Sequence, residues 1–251
     1  MELLRVIAHL MDYPDEELHK HLEDLILVVA KDQHLSNEHR HKLAEFITDL
    51  ATYDLYDLQA RYDGTFERGR YLSLMIFEHV HGESRDRGQA MVDLLDLYKL
   101  HGFELDSREM PDYLPVFLEF LSTQDEAFIQ EWLGDVSHIL ALLGERLEKK
   151  GLPEQILFDC LLSLTTTEID TDEIVSRVSQ EPDEDSLEAI DAAWEDKEVR
   201  FDAPTQDDCS ACPSQQTGSV YSTNNSYNSD TSFSAEPQPL KWYDTKEKPH
   251  V

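Results

Sequence analysis

Between residues 3 and 164 apolar side chains return every three to four positions, and this period restricts the available folds more than any other feature of the chain. A helix with about 3.6 residues per turn gathers such side chains on one face, whereas a strand needs strict alternation. Leu3, Leu4, Ile7, Leu10 and Met11 make the first stripe. Tyr13-Pro14 breaks it, because proline disfavours helix at the residue before it and can itself open the next one. Asp15, Glu16 and Glu17 then place negative charge in a first turn, where the helix dipole favours it, and Leu18, Leu22, Leu25, Ile26 and Val29 continue the stripe. After a break at residues 36–38 the pattern resumes through Leu43, Phe46, Ile47 and Leu50, and Leu55, Leu58 and Tyr62 predict a short fourth helix. The first sixty residues hold no Val/Ile/Thr-rich alternating run.

The central region repeats the pattern. Phe66, Arg70, Leu74 and Phe77 recur about every four residues and predict a helix stopping at Gly82. Ser84 or Asp86 is placed to cap the next helix, which carries Met91, Leu94, Leu95 and Tyr98 and ends near Gly102. The run SREMPDYLP at 107–115, with Pro111 and Pro115 four apart, reads as a rigid elbow feeding a short apolar helix at 116–121. Residues 124–150 form the longest periodic segment, with Phe128, Trp132, Val136, Ile139, Leu140, Leu143 and Leu147 facing inward, and Gly151-Leu152-Pro153 stops it. A last helix at 154–164 closes the domain. The expected architecture is therefore all-α: one helical bundle domain over 1–167.

Composition changes beyond that point. Residues 168–251 are rich in Asp and Glu and poor in aliphatics, with a Ser/Asn/Thr/Gln-rich run at 214–234. Such a segment buries too little apolar area to offset its ordering entropy, so it is expected to be a disordered acidic tail with one short amphipathic piece near 185–195. The whole chain carries 53 acidic against 21 basic residues, a formal charge of −32. That charge repels phosphate backbones and anionic headgroups, which excludes nucleic-acid or membrane-surface binding by electrostatics and favours cationic partners. No run of about 18 apolar residues is present, and the first residues lack the basic-then-apolar order of a leader. Three cysteines, with Cys160 inside an apolar run, make no disulfide framework. These features predict a cytoplasmic protein.

The densest mix of His, Glu and Arg lies at 66–91, reading FERGRYLSLMIFEHVHGESRDRGQAM. Glu78, His79, His81 and Glu83 offer nitrogen and oxygen ligands of the kind zinc and iron take. Two histidines two apart on a helix point roughly 200° away from each other, however, and no second cluster supplies the missing ligands. The bland alternative is a polar helix end, hydrogen-bonded within itself and to Arg85. Cys209-Ser-Ala-Cys212 has the spacing of a redox or zinc half-site but stands in the low-complexity tail without a partner pair. The chain has no GxSxG elbow and no glycine-rich phosphate loop, and Ser84 near a helix start reads as a cap before it reads as a nucleophile. No positive case for an enzyme emerges; a metal-dependent helical hydrolase or oxidoreductase using His79, His81 and Glu83 is the alternative from another class.

The basic residues point elsewhere. Arg61, Arg68, Arg70, Arg85, Arg87 and Arg108 fall within one span that holds no lysine before Lys99. Arginine forms bidentate pairs with carboxylates and stacks on aromatics, so it suits fixed networks and interfaces. Glu67, Glu78, Glu83, Asp86, Asp93 and Glu109 are near enough in sequence to pair with these arginines and tie helices together, while the cluster as a whole suggests a surface that recognises a protein.

FEHVHGESRDRGQAMVDLL, followed some twenty residues on by SREMPDYLPVFLEFL, resembles the nitrate reductase delta subunit family, the NarJ-type molybdenum cofactor assembly chaperones within the wider TorD-like group. YPDEEL at 13–18, TFERGR at 65–70 and DAAWEDKEVRF at 191–201 are similar as well. The resemblance implies an all-helical chaperone and not a catalyst. Its implied partner is the catalytic alpha subunit of respiratory nitrate reductase, including its N-terminal segment, with molybdenum cofactor biosynthesis proteins as further partners. Its implied task is to hold that client in the cytoplasm for molybdenum cofactor and iron–sulfur insertion before membrane docking, binding no cofactor as a catalyst itself. The implied client-binding residues are Arg70, Glu78, His79, His81, Glu83, Ser84, Arg85, Asp86, Arg87 and Gln89, together with Pro111, Asp112, Leu114 and Pro115, with Gly82 in the same motif. On this reading the acidic members hold basic client residues, His79 or His81 makes pH-sensitive contacts, and PDYLP shapes a groove wall.

Overall fold

The helical starts are set by short polar side chains. Asp15, Ser36, Asp54, Asp125 and Asp170 each accept a hydrogen bond from the backbone N–H three residues on, satisfying a donor that the first turn leaves without an intrahelical partner. In the computed structural model, which describes residues 1–81, 86–105 and 109–181, the elements are all helical. They are α1 (Glu2–Met11), α2 (Glu16–Lys31), α3 (Asn37–Leu50), α4 (Leu55–Tyr62), α5 (Ile76–His81), α6 (Asp86–Leu100), α7 (Leu114–Ser122), α8 (Glu126–Lys150), α9 (Gln155–Leu162) and α10 (Thr171–Gln180). The all-α expectation holds.

α7 organises the bundle. Every residue of it except Glu119 is buried, and a short helix that is apolar all round has to lie inside. α1 lies along it, with Leu3, Leu4, Ile7 and Met11 wholly excluded from solvent. α1 also meets α2 and α9, α2 packs on α3, and α3 returns to α9. α8 forms the other wall, carrying α9 on one side and touching α5 and α7. Gly151 ends α8 in the left-handed conformation at φ 66°, with its N–H on Glu148 O and the Leu152 N–H on Leu147 O, each at 2.9 Å. Glycine takes that conformation without a steric penalty. An aromatic chain fills the end of the core between α6, α7 and α8. Gly102 at φ 73° turns the backbone so that Phe103 meets Tyr98 at 5.4 Å, Tyr98 meets Phe120 at 4.6 Å, and Phe128 stacks on Trp132 at 5.6 Å.

Two expectations need correction. The helix predicted from Phe66 to Gly82 is not continuous. α4 runs on into a π-helical turn, Asp63–Glu67, the chain then leaves helix, and only α5 resumes it. Leu72, Leu74 and Ile76 are buried while Ser73 and Met75 between them are partly open, which is the period of an extended segment. This segment pairs with the proline elbow: Leu114 N–H donates to Leu74 O and Ile76 N–H to Asp112 O, both at 2.9 Å, around a single antiparallel bridge of Met75 with Tyr113. A long-range backbone pairing thus overrides a local helical period.

The boundary expected at 167 also falls short. α10 lies past it and packs on α8, because Ile174 and Val178 stand one turn apart on its inner face and Glu181 beyond its end meets Arg146. The rest of the expected tail, with the amphipathic piece near 185–195 and Cys209 and Cys212, lies outside the described residues.

Candidate functional site

The elbow is fixed first. Tyr98 donates to Pro111 O at 2.8 Å, and Tyr113 donates to Asp12 at 3.0 Å while accepting from Tyr62 at 2.8 Å, so α1, α4 and α6 all hold it. Burial pushes the Tyr62 phenol up to about 12 and raises Tyr113 well above its ordinary value, so both hydroxyls keep their protons. Pro115 opens α7 at a position whose N–H needs no partner, and lines a shallow crevice with Arg5, His9 and Asp12.

Asp112 is the pivot of the site. It is 0 % exposed, and its Oδ2 accepts from the Phe77 N–H at the start of α5 at 3.3 Å. A carboxylate so placed is costly unless a cation answers it. Arg87 of α6 does so at 3.6 Å and also donates to Glu78 Oε1 of α5 at 3.1 Å. Burial raises the Asp112 pKa, against the opposing pull of Arg87. At Glu78 burial works the same way, but hydrogen bonds from Ser73 and Arg87 outweigh it and hold the carboxyl below its usual range. Among the described residues Asp112 Oδ1 and Arg87 Nε have no hydrogen-bond partner, and the network spans the elbow, α5 and α6.

The two histidines diverge, as two positions apart on a helix requires. His79 turns inward and its Nε2 donates to Ser73 O at 2.7 Å; burial lowers its pKa, and the neutral ring with the proton on Nε2 suits this bond. His81 sets its ring edge against Phe77 with centroids 5.7 Å apart. Among the described residues no group of three or more His, Cys, Asp and Glu comes together as a metal ion would need.

Of the residues the sequence singles out, Glu78, His79, Arg87, Pro111, Asp112 and Leu114 are brought together at this junction. Asp112 and Leu114 are buried and present no surface here. Arg70, Asp86 and Gln89 are exposed at its edge, and Gln89 donates to Asp93 one turn on. Gly82, Glu83, Ser84 and Arg85 lie outside the described residues.

Sequence reasoning missed Arg146. This arginine is 8 % exposed in the middle of α8; Nε and Nη2 donate to the two oxygens of Glu181 at 2.9 and 2.6 Å, and Nη1 donates to Tyr71 O at 2.6 Å. Its guanidinium also lies 4.7 Å over the Tyr71 ring. It therefore fastens α10 and the 68–75 segment to the same helix. Its signal was present: it falls three residues after Leu143 and directly before Leu147, on the inward stripe of α8.

Among the described residues the polar cluster locks two helices and an elbow together within an all-helical bundle. The chain matches the model of the family described as nitrate reductase delta subunit over residues 31–153. It is 45 % identical over 198 residues to the nitrate reductase molybdenum cofactor assembly chaperone NarJ of Escherichia coli K12, covering 79 % of this chain and 84 % of that protein. It is 44 % identical over 214 residues to the probable assembly chaperone NarW of the same strain, covering 85 % and 88 %. The probable chaperone NarJ of Bacillus subtilis is 32 % identical over 148 residues, covering 57 % of this chain and 77 % of that protein. The chain belongs to the nitrate reductase delta subunit family. The relatives are named as chaperones, which favours the assembly reading over the metal-dependent alternative.

Proposed function

We propose that this protein is a dedicated chaperone, not an enzyme, which binds the unfinished catalytic alpha subunit of a respiratory nitrate reductase in the cytoplasm. It holds that subunit, partly through its N-terminal segment, while the molybdenum cofactor and iron–sulfur groups are inserted, and delays membrane docking until then. The observation that carries the reading is the 45 % identity to a molybdenum cofactor assembly chaperone across 84 % of that protein. Physical features agree with it. A chain of net charge −32 attracts basic segments, and among the described residues no helix is long and apolar enough to cross a membrane.

Arg70, His81, Asp86 and Gln89, with Glu83, Ser84 and Arg85 between the helices, form the client-facing edge in this proposal. Glu78, His79, Arg87, Pro111, Asp112, Leu114 and Pro115 set its shape. Molybdenum cofactor biosynthesis proteins are further partners, met through the client.

The test is co-purification from cells making the alpha subunit, with mass spectrometry of what stays bound. Alanine at Glu83, Arg85 and Asp86 together is expected to abolish capture while the helical circular dichroism is retained. Full capture by that triple variant, or collapse of its fold, sinks the assignment of the edge. Stoichiometric zinc or iron in the purified protein revives the metal-dependent alternative.

A further inference from the structure

We propose that residues 165–181 are a displaceable strap, and that the face of α8 beneath them is a second interaction surface, taken by an amphipathic helix of the client when the strap leaves. This rests on the chaperone reading above.

The strap follows α8 in the same direction. At its start Thr167 sits against Gly134, where an added Cβ would stand 2.6 Å from the threonine Oγ1. At its end Glu181 meets Arg146, and Lys149 Nζ donates to Val178 O at 2.7 Å. Gly134, His138, Leu142, Arg146 and Lys149 recur at three- and four-residue spacing, so one face of α8 carries them for roughly 22 Å.

The strap is lightly held. α9, also packed on α8, buries Ile156, Leu157, Phe158, Cys160 and Leu161, whereas α10 buries Val178 alone and leaves Val175 45 % exposed. Leu142 and Val178 are buried yet stand apart from the continuous core that the other buried apolar side chains form. Residues 165–170, which lead to α10, are not helical. Among the described residues the strap meets α8 at both ends, with Thr167 against Gly134 at its start and the Arg146 and Lys149 bonds at its end.

What the strap shows of itself specifies the partner. Ile174 and Val178 one turn apart, followed three residues on by a carboxylate, fit a face with Leu142 in the middle and two cations at the end. A client helix with two branched apolar side chains one turn apart and an acidic group or free C-terminal end beyond them satisfies the same contacts. Arg146 also holds Tyr71 O, close to the Ser73 carbonyl that takes His79. Exchange of the strap is therefore felt at the junction of α5 with the elbow.

The strap can be locked. The Cβ expected at position 134 lies 3.9 Å from Thr167 Cβ, within the range of about 3.5–4.5 Å that a disulfide spans. The full-length Gly134→Cys/Thr167→Cys protein, with Cys209→Ser and Cys212→Ser, is compared oxidised and reduced in capture of the nitrate reductase alpha subunit. Oxidation is expected to weaken capture at least tenfold and reduction to restore it. Equal capture in both states overturns the proposal. Failure of the reduced and parent proteins to capture anything removes the chaperone reading, and this proposal with it. Hydrogen exchange on the parent protein gives an arm independent of the client: α10 amides are expected to exchange well before those of α8, and exchange in step with α8 overturns the strap. Val178→Asp, which loosens the strap without a cross-link, should raise capture severalfold; unchanged capture with α10 already unprotected counts against the idea.

Discussion

At the scale of single residues the protein spends charge inside its walls in a few places and answers it with arginine. Arg146 makes three hydrogen bonds that no other side chain reproduces, two to one carboxylate and one to a carbonyl. Arg146→Met is expected to cost about 2 kcal/mol, and Arg146→Lys should recover little of it. Thermal unfolding followed by circular dichroism checks this, through a Tm lower by roughly 4–8 °C. Asp112→Ala removes the acceptor at the start of α5 and leaves Arg87 without its buried partner. It should cost about 1–3 kcal/mol and expose residues 72–81 to hydrogen exchange before the rest of the bundle. Caps and stops were legible at this scale: Asp15, Ser36 and Gly151 stand where the sequence puts a helix end. The position of Arg146 on the inward stripe of α8 marks it as buried, but its carboxylate partner lies 35 residues away and no local pattern connects the two.

At the scale of elements, the helices that bury a broad stripe were readable and the two segments that depend on distant partners were not. Leu3, Ile7 and Met11 announce α1 from sequence alone, and the unbroken apolar run of α7 announces a central helix. Phe66, Leu74 and Phe77 fit a helical period, but Leu72, Leu74 and Ile76 also fit an extended one, and the elbow at 110–114 decides between them by offering backbone partners. α10 was assigned to the tail because Ile174, Val175 and Val178 are few among acidic neighbours; its stability comes from α8 and not from its own sequence. At the end of α8, Gly151→Ala forces a side chain into the left-handed region at φ 66° and should cost about 1 kcal/mol without altering the fold, measurable as a lower urea midpoint at unchanged slope.

For the whole molecule the titration of buried imidazoles lowers stability in acid. Burial lowers the His79 pKa and brings His138 down to about 4 from an ordinary 6.5. The unfolded chain therefore binds protons that the folded one refuses between those values, so stability is fully present above about 6.5 and is lost as pH falls toward 4. Tm should drop by several degrees between pH 7 and pH 5, and His138→Gln should flatten that decline; a pH-independent Tm over this range contradicts it. The topology has a different consequence, for synthesis. The ammonium group of Met1 bonds to the carbonyl of Ser122, 121 residues away, and the apolar face of α1 is covered mainly by α7. At about 5–20 residues per second, α1 leaves the ribosome roughly ten seconds before the helix that shelters it. During that interval a protein whose relatives are named as assembly chaperones is itself an unfinished chain with an uncovered apolar helix, open to aggregation or to a general holdase.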